Sequence, residues 1–273
     1  MTLVLLLSLL LAPACKSGSS QKKGSSTKKA TSEKPDSEED AGPSAQELFA
    51  AGNKHLDERD WEAAVDAYRS ALEKNAERWD VHLNLAIALS EMGKFNEALD
   101  AIEGSLAKGG DEQPEVYFNL GNIYQERGLY RQAVKAYRTS LAHREETDLD
   151  TLVNIAAALT ILGEKSKAKS TYEKAQKLAP QDPRIQHGFA VLLHLEGEHK
   201  KSIDAYQQLH SMAPDYAAGY FDEASPHVEI EDFRGAIDAL QRYLEVAPDG
   251  PYAQKAKKLI DIYREQAESS SPQ

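Results

Sequence analysis

Every 34 or 35 residues this sequence returns to the same pattern. Trp61…Ala64, Phe95…Ala98, Tyr130…Ala133, Lys165…Ala168, His199…Ser202 and Phe233…Ala236 align, with their last members 34, 35, 35, 34 and 34 residues apart. A second series runs Gly52, Ala86, Gly121, Ala156, Ala190, Ala224. A third runs Tyr68, Ile102, Tyr137, Tyr172, Tyr206, Leu240, and a fourth Ala71, Ser105, Ser140, Ala175, Leu209, Tyr243. A period of this length is one supersecondary unit that cannot bury its apolar face alone, so neighbours must stack. Within a unit, apolar residues at helical spacing and a central glycine (Gly93, Gly128, Gly163, Gly197) describe two antiparallel helices. Small residues belong where the two axes approach, and the large third-series residues fill the space toward the next unit. Pro180, Pro214 and Pro248 close three of the units.

The pattern resembles the tetratricopeptide repeat family. The best copy is Asn119-Leu120-Gly121-Asn122-Ile123-Tyr124, followed by Gly128, Tyr130, Ala133 and Tyr137. Six units begin near Ala45, Trp79, Pro114, Leu149, Pro183 and Ala217, so the repeats are expected over 45–250. Pro251 to Glu268 carries Tyr252, Ala256, Leu259, Ile260 and Tyr263 at helical spacing and reads as a capping helix, with 269–273 a disordered tail. The resemblance implies an all-α fold, an α-solenoid in the form of a right-handed superhelix whose concave face is lined by the first helix of each pair. Repeat six departs from the pattern, because Glu223 replaces the usual Leu and Pro226 falls inside its first helix. Two readings stand: drift of a terminal repeat, or a bend between Asp222 and Asp232.

On the family's concave face one position gives Asn84, Asn119 and Asn154. The resemblance implies an asparagine ladder there, each amide offering a donor and an acceptor to an extended peptide main chain; Asn53 and Asn122 join it. The neighbouring position gives Phe49, Leu83, Phe118, Val153, His187 and Phe221. Of these, Phe49, Leu83, Phe118 and Phe221 are the candidate anchors for a partner's side chains. Acidic Asp57, Asp80, Glu91, Glu115, Glu126 and Asp150 lie beside them, which favours a basic or amphipathic segment. The carboxylate clamp of chaperone-binding members does not fit, since Phe49, Glu115 and Asn119 stand where it has cations.

The first 44 residues are of another kind. Leu3 to Ala12 is apolar apart from Ser8, too short for a bilayer span but the length of a secretory h-region, so 1–14 is expected to be a signal peptide. It ends Leu11-Ala12-Pro13-Ala14-Cys15, which resembles a bacterial lipobox with Cys15 as the lipidation site. A plain A-x-A signal-peptidase site and a chance apolar start are the alternatives. With Lys16 rather than Asp after the cysteine, the resemblance points to the outer membrane. Residues 15–44 then form a tether without a large apolar side chain until the first repeat, its lysines first and its acids (Asp36, Glu38, Glu39, Asp40) last. Such composition cannot offset its ordering entropy, and a disordered linker follows.

Composition narrows the chemistry. The 273 residues carry a formal charge of −12, which repels phosphates and disfavours a nucleic-acid partner. A lone cysteine excludes a disulfide framework and cysteine-based metal sites. His187 and His194 share a helix face but stand about 10 Å apart along its axis, too far for one metal ion. HExxH, P-loop and GxSxG motifs are absent from the sequence, so no enzyme, cofactor or metal is expected. The expected function is a non-catalytic interaction scaffold: an outer-membrane lipoprotein facing the periplasm that recruits another envelope protein of a bacterial motility, pilus or secretion machine. The architecture resembles that of pilotins. A periplasmic chaperone or peptidoglycan-enzyme activator, and a soluble adaptor that is secreted or cytoplasmic, are the other readings.

Overall fold

The structure, a computed structural model, describes residues 42–75, 77–144 and 148–269. Cys15, the apolar start and most of the tether lie outside the described residues. Among the described residues there are thirteen α-helices and no strand. They are α1 (Ala45–Asp57), α2 (Trp61–Lys74), α3 (Trp79–Glu91), α4 (Phe95–Ala107), α5 (Pro114–Glu126), α6 (Tyr130–Ala142) and α7 (Leu149–Ile161). The chain continues with α8 (Lys165–Leu178), α9 (Pro183–Leu195), α10 (His199–Met212), α11 (Ala217–Glu229), α12 (Phe233–Val246) and α13 (Ala253–Ser269). None of the described helices is long and apolar enough to cross a membrane.

Local chemistry sets the helix starts. Ser44 and Glu47 form a reciprocal capping box on α1. Asp60, Asp148 and Asp232 each accept an N-terminal backbone N–H of α2, α7 and α12, and Asp182 does the same for α9, where Pro183 occupies the first helical position. The turns inside four hairpins sit at Gly93, Gly128, Gly163 and Gly197, with φ between 71° and 85°. Arg59 and Glu231 hold the same place in the first and last hairpins at φ 60°, a conformation that costs a residue with a Cβ.

The chain divides into two compact units, with the division inside α5. In the N-terminal unit α1 packs on α2, α2 on α3 and α3 on α4, around a core that includes Ala64, Tyr68, Ala86, Ala98 and Ile102. In the C-terminal unit each helix from α6 to α13 packs on the next. The small first-series residues Ala64, Ala98, Ala133, Ala168, Ser202 and Ala236 all have no exposed surface, which is what a close helix crossing demands. Two buried serines bond across their hairpins: Ser105 Oγ of the fourth series donates to the Trp79 carbonyl at 2.9 Å and Ser202 Oγ of the first to the Ala190 carbonyl at 2.8 Å. The rings of Tyr68, Tyr137, Tyr172 and Tyr206 are fully buried behind them. Gly52 and Gly188 exist for two of those rings, since a Cβ would stand 2.5 Å from Tyr68 and 2.2 Å from Tyr172. Within each unit the helices stack in chain order, as in an α-solenoid. Pro226 is accommodated inside α11, which runs unbroken from Ala217 to Glu229. Its missing N–H leaves the Asp222 carbonyl without the usual helical donor.

Candidate peptide-binding face

In the N-terminal unit the site is built on α1 and α3, backed by α2. Asn53 of α1 accepts two hydrogen bonds at the same oxygen, from Tyr68 Oη and from Asn84 Nδ2, each at 2.8 Å. Burial pushes the Tyr68 hydroxyl up, with the Asn84 amide opposing it, so the phenol stays a donor. These bonds consume the Asn53 oxygen and one end of the Asn84 amide. No described residue bonds the Asn53 Nδ2 group or the Asn84 oxygen, and both side chains are half-buried. A donor and an acceptor are thus held side by side in fixed orientation, the pair a passing peptide unit requires.

Phe49 lies one turn before Asn53. Its half-buried ring stands 6.1 Å from the Tyr68 ring and 4.4 Å beneath the Arg78 guanidinium. That guanidinium is gripped by Asp80 through two bonds of 3.0 and 2.6 Å and donates a third to Gln46 at 2.7 Å. The clamp fixes the start of α3 against α1 and spends the charge of Asp80, which therefore contributes less to an acidic rim than its sequence position suggests.

The other expected site residues are placed differently. Leu83 is 6% exposed and belongs to the core of the N-terminal unit; Phe221 is 4% exposed and packs edge-on against Tyr243 in the C-terminal unit. Neither side chain is presented to a partner, because an apolar residue at this helix position is drawn into the inter-helix seam. Phe118 and Asn122 are half-buried. The ladder asparagines are not all used alike: Asn84 and Asn154 each meet the buried tyrosine of the preceding hairpin, Tyr68 and Tyr137, and Asn119 does not. Asn84 meets Asn53, whereas Asn119 turns its amide onto the Glu115 carbonyl of its own helix at 2.9 Å. Asn154 is 8% exposed and faces the Tyr137 hydroxyl at 3.4 Å. The structure brings Asn53 together with Asn84 and holds Asn154 inside.

The C-terminal unit carries a polar cluster that the sequence reading missed. The ladder position in α11 is Asp222, 2% exposed, with His187 Nε2 at 2.9 Å, and His187 Nδ1 faces Tyr216 Oη at 3.2 Å. Beside it Glu223 faces His210 Nε2 at 2.9 Å and His227 Nε2 at 3.8 Å, while His227 Nδ1 meets Asp232 at 2.7 Å. Burial raises Asp222; it also pushes Glu223 up, but the two histidines outweigh it and hold that carboxyl below its usual range. The signal was two acids at consecutive core positions; Asp222 finds its partner 35 residues away on α9, and Glu223 finds His210 on α10 and His227 one turn on in α11. The Asp222–His187 pair is closed to solvent, whereas Asp232 at the other end of the cluster is 44% exposed. No group of His, Cys, Asp or Glu among the described residues could hold a metal ion.

The sequence profile of the tetratricopeptide repeat matches residues 55–120, 114–146 and 149–182. These hairpins are tetratricopeptide repeats. A curated relative, BBSome complex member BBS4 of Xenopus tropicalis, is 42% identical over 55 residues, a stretch that is 20% of this chain and 11% of that one. Among solved structures, a tetratricopeptide repeat protein from Parabacteroides merdae aligns over 84% of this chain and 93% of its own at a TM-score of 0.66 and 20% identity. PilW, described as a widely conserved type IV pilus biogenesis factor, aligns over 78% and 98% at 0.66 and 13% identity. At these identities the likeness shows the fold. Tetratricopeptide repeats are protein-interaction scaffolds that bind peptide or protein partners and are typically non-catalytic.

Proposed function

We propose that this protein is a membrane-tethered scaffold whose α1–α3 face takes an extended segment of another envelope protein. The observation that carries the reading is the Asn53–Asn84 pair, with its free donor and acceptor beside the half-buried Phe49 ring. The amides bond main chain irrespective of sequence, and the aromatic ring, stiffened by Arg78 above it, supplies the apolar contact. The anchor is Cys15 at the end of the lipobox-like Leu11–Cys15 run, and its lipidation would hold the repeats at the outer membrane through the 15–44 tether. The resemblance of fold to PilW supports a pilus, motility or secretion machine of a bacterial envelope as the setting.

The test has two arms. A photoreactive phenylalanine analogue at position 49 in intact cells is expected to give a discrete protein adduct that Asn53→Ala/Asn84→Ala removes; adducts unchanged by the double substitution sink the peptide face. Detergent phase partitioning of wild type against Cys15→Ala reads the anchor separately. A wild-type protein that stays in the aqueous phase overturns the tether and leaves a soluble adaptor.

A further inference from the structure

The C-terminal unit has an open cleft of about 450 Å³ between α6 and α8, with Leu159 of α7 in its lining. One stripe of α6 forms its wall, with residues at i, i+3, i+4, i+7, i+8 and i+11 from Arg131. Three of those positions are the exposed cations Arg131, Lys135 and Arg138, and Lys167 of α8 faces them. The floor is apolar: Val134 and Leu159, 7% and 2% exposed, with Leu162 at its edge.

The single acid of the lining is Glu164, already held by Lys167 Nζ at 2.6 Å with Arg131 Nη1 at 3.8 Å. Its carboxyl is kept below the usual range by the Lys167 hydrogen bond first, and by the Arg131 and Arg138 charges. Lys135 and Arg138 have no ion pair with a described residue. The cleft is therefore strongly positive in a chain of net charge −12. This is the reverse of the charge expected beside the α1–α3 face, and none of the cleft's lining belongs to that face.

We propose that this cleft is a second binding site, for an extended acidic peptide segment whose alternate side chains are large and apolar. The three α6 cations span about 10 Å along the helix axis. An extended chain brings same-side residues back about every 7 Å, so two or three alternating acids match the row while the residues between them turn to the floor. A bilayer surface is flat and meets only the rim. A recessed apolar floor under a cationic edge fits a peptide side chain better.

Fluorescence anisotropy tests this with the full chain in detergent and a labelled nonapeptide alternating glutamate and leucine. Wild type is expected to bind it, and Lys135→Ala/Arg138→Ala to weaken it by about tenfold or more, with a steep loss at high salt. Thr139→Trp, which fills the cleft without changing charge, is expected to abolish binding while helicity by circular dichroism stays wild type. Lys257→Ala/Lys258→Ala removes the same charge from exposed positions on α13 and is expected to leave affinity within about twofold. Asn53→Ala/Asn84→Ala is expected to change nothing, which separates this site from the first. Absence of wild-type binding, equal binding of a glutamate–serine peptide, or equal loss in the α13 variant overturns the proposal. So does loss of phosphatidylglycerol-vesicle binding in the cleft variants with peptide binding intact, which would assign the cations to lipid headgroups.

Discussion

At the scale of single residues, the buried tyrosines look alike in sequence and differ in energetics. Tyr68 donates to Asn53, whereas the Tyr206 hydroxyl is buried and no described residue bonds it. A buried, unpaired hydroxyl costs about 1–3 kcal/mol and a satisfied one contributes about 1. Tyr206→Phe is therefore expected to stabilise by about 1 kcal/mol and Tyr68→Phe to destabilise by about the same, read from urea midpoints. The histidines divide in the same way. Burial lowers His227, but hydrogen bonds and charges from Glu223 and Asp232 outweigh it and raise the imidazole above its ordinary 6.5. Its contribution to stability is complete below pH 6.5 and is lost as pH rises through the raised value. His194 is pushed down to about 4, by burial first and then by His199, so its contribution is complete above 6.5 and is lost as pH falls toward 4. Urea midpoints across this range are expected to show His227→Gln most damaging on the acid side. His194→Gln should gain on wild type as the solution is acidified, and parallel curves for all three proteins would contradict the assignment.

At the scale of elements, the hairpin turns explain what could be read in advance. Gly93, Gly128, Gly163 and Gly197 occupy a left-handed conformation that sequence signals directly, and the spacing of buried small residues signals the helix crossings. In the first and last hairpins that conformation is held by Arg59 and Glu231, so Glu231→Gly is expected to stabilise α11–α12 by about 0.5–1 kcal/mol, visible as a raised melting temperature. Helix type, turn position and packing face are local properties, and each leaves its mark on a few neighbouring letters. The site was less legible. Asn84, Asn119 and Asn154 share a register, yet only Asn84 and Asn154 meet a buried tyrosine, Tyr68 and Tyr137; the matching residue before Asn119 is Ile102, and its amide turns to a carbonyl of its own helix. Leu83 and Phe221 turn inward because the seam draws in apolar side chains at that position, and Asp222 and Glu223 are explained by the contacts of His187 and His210 with them.

For the molecule as a whole, nearest-neighbour stacking makes the last element matter more than its surface suggests. The final helix covers α12, burying Ala256, Ile260 and Tyr263 against Ala236, Leu240 and Tyr243, and the Tyr252 N–H donates to Tyr243 Oη at 3.0 Å. Burial of two large side chains contributes about 3–6 kcal/mol. A chain ending after Asp249 is expected to lose hydrogen-exchange protection across α11 and α12 while α6 to α8 stay protected, the graded behaviour of a linear array. Uniform loss over all helices would mean instead that the C-terminal unit melts as one block. The joints between hairpins also carry an address. Arg184 lies between Asp182 at 2.6 Å and Asp150 of the preceding hairpin at 2.7 Å, whereas at the α1–α3 joint the guanidinium comes from Arg78, with the acid two residues after it. Tandem copying of the fifth hairpin would set the Arg184 guanidinium against its own duplicate. This array cannot lengthen at that joint by gene duplication without first inventing a new acid to receive the extra charge.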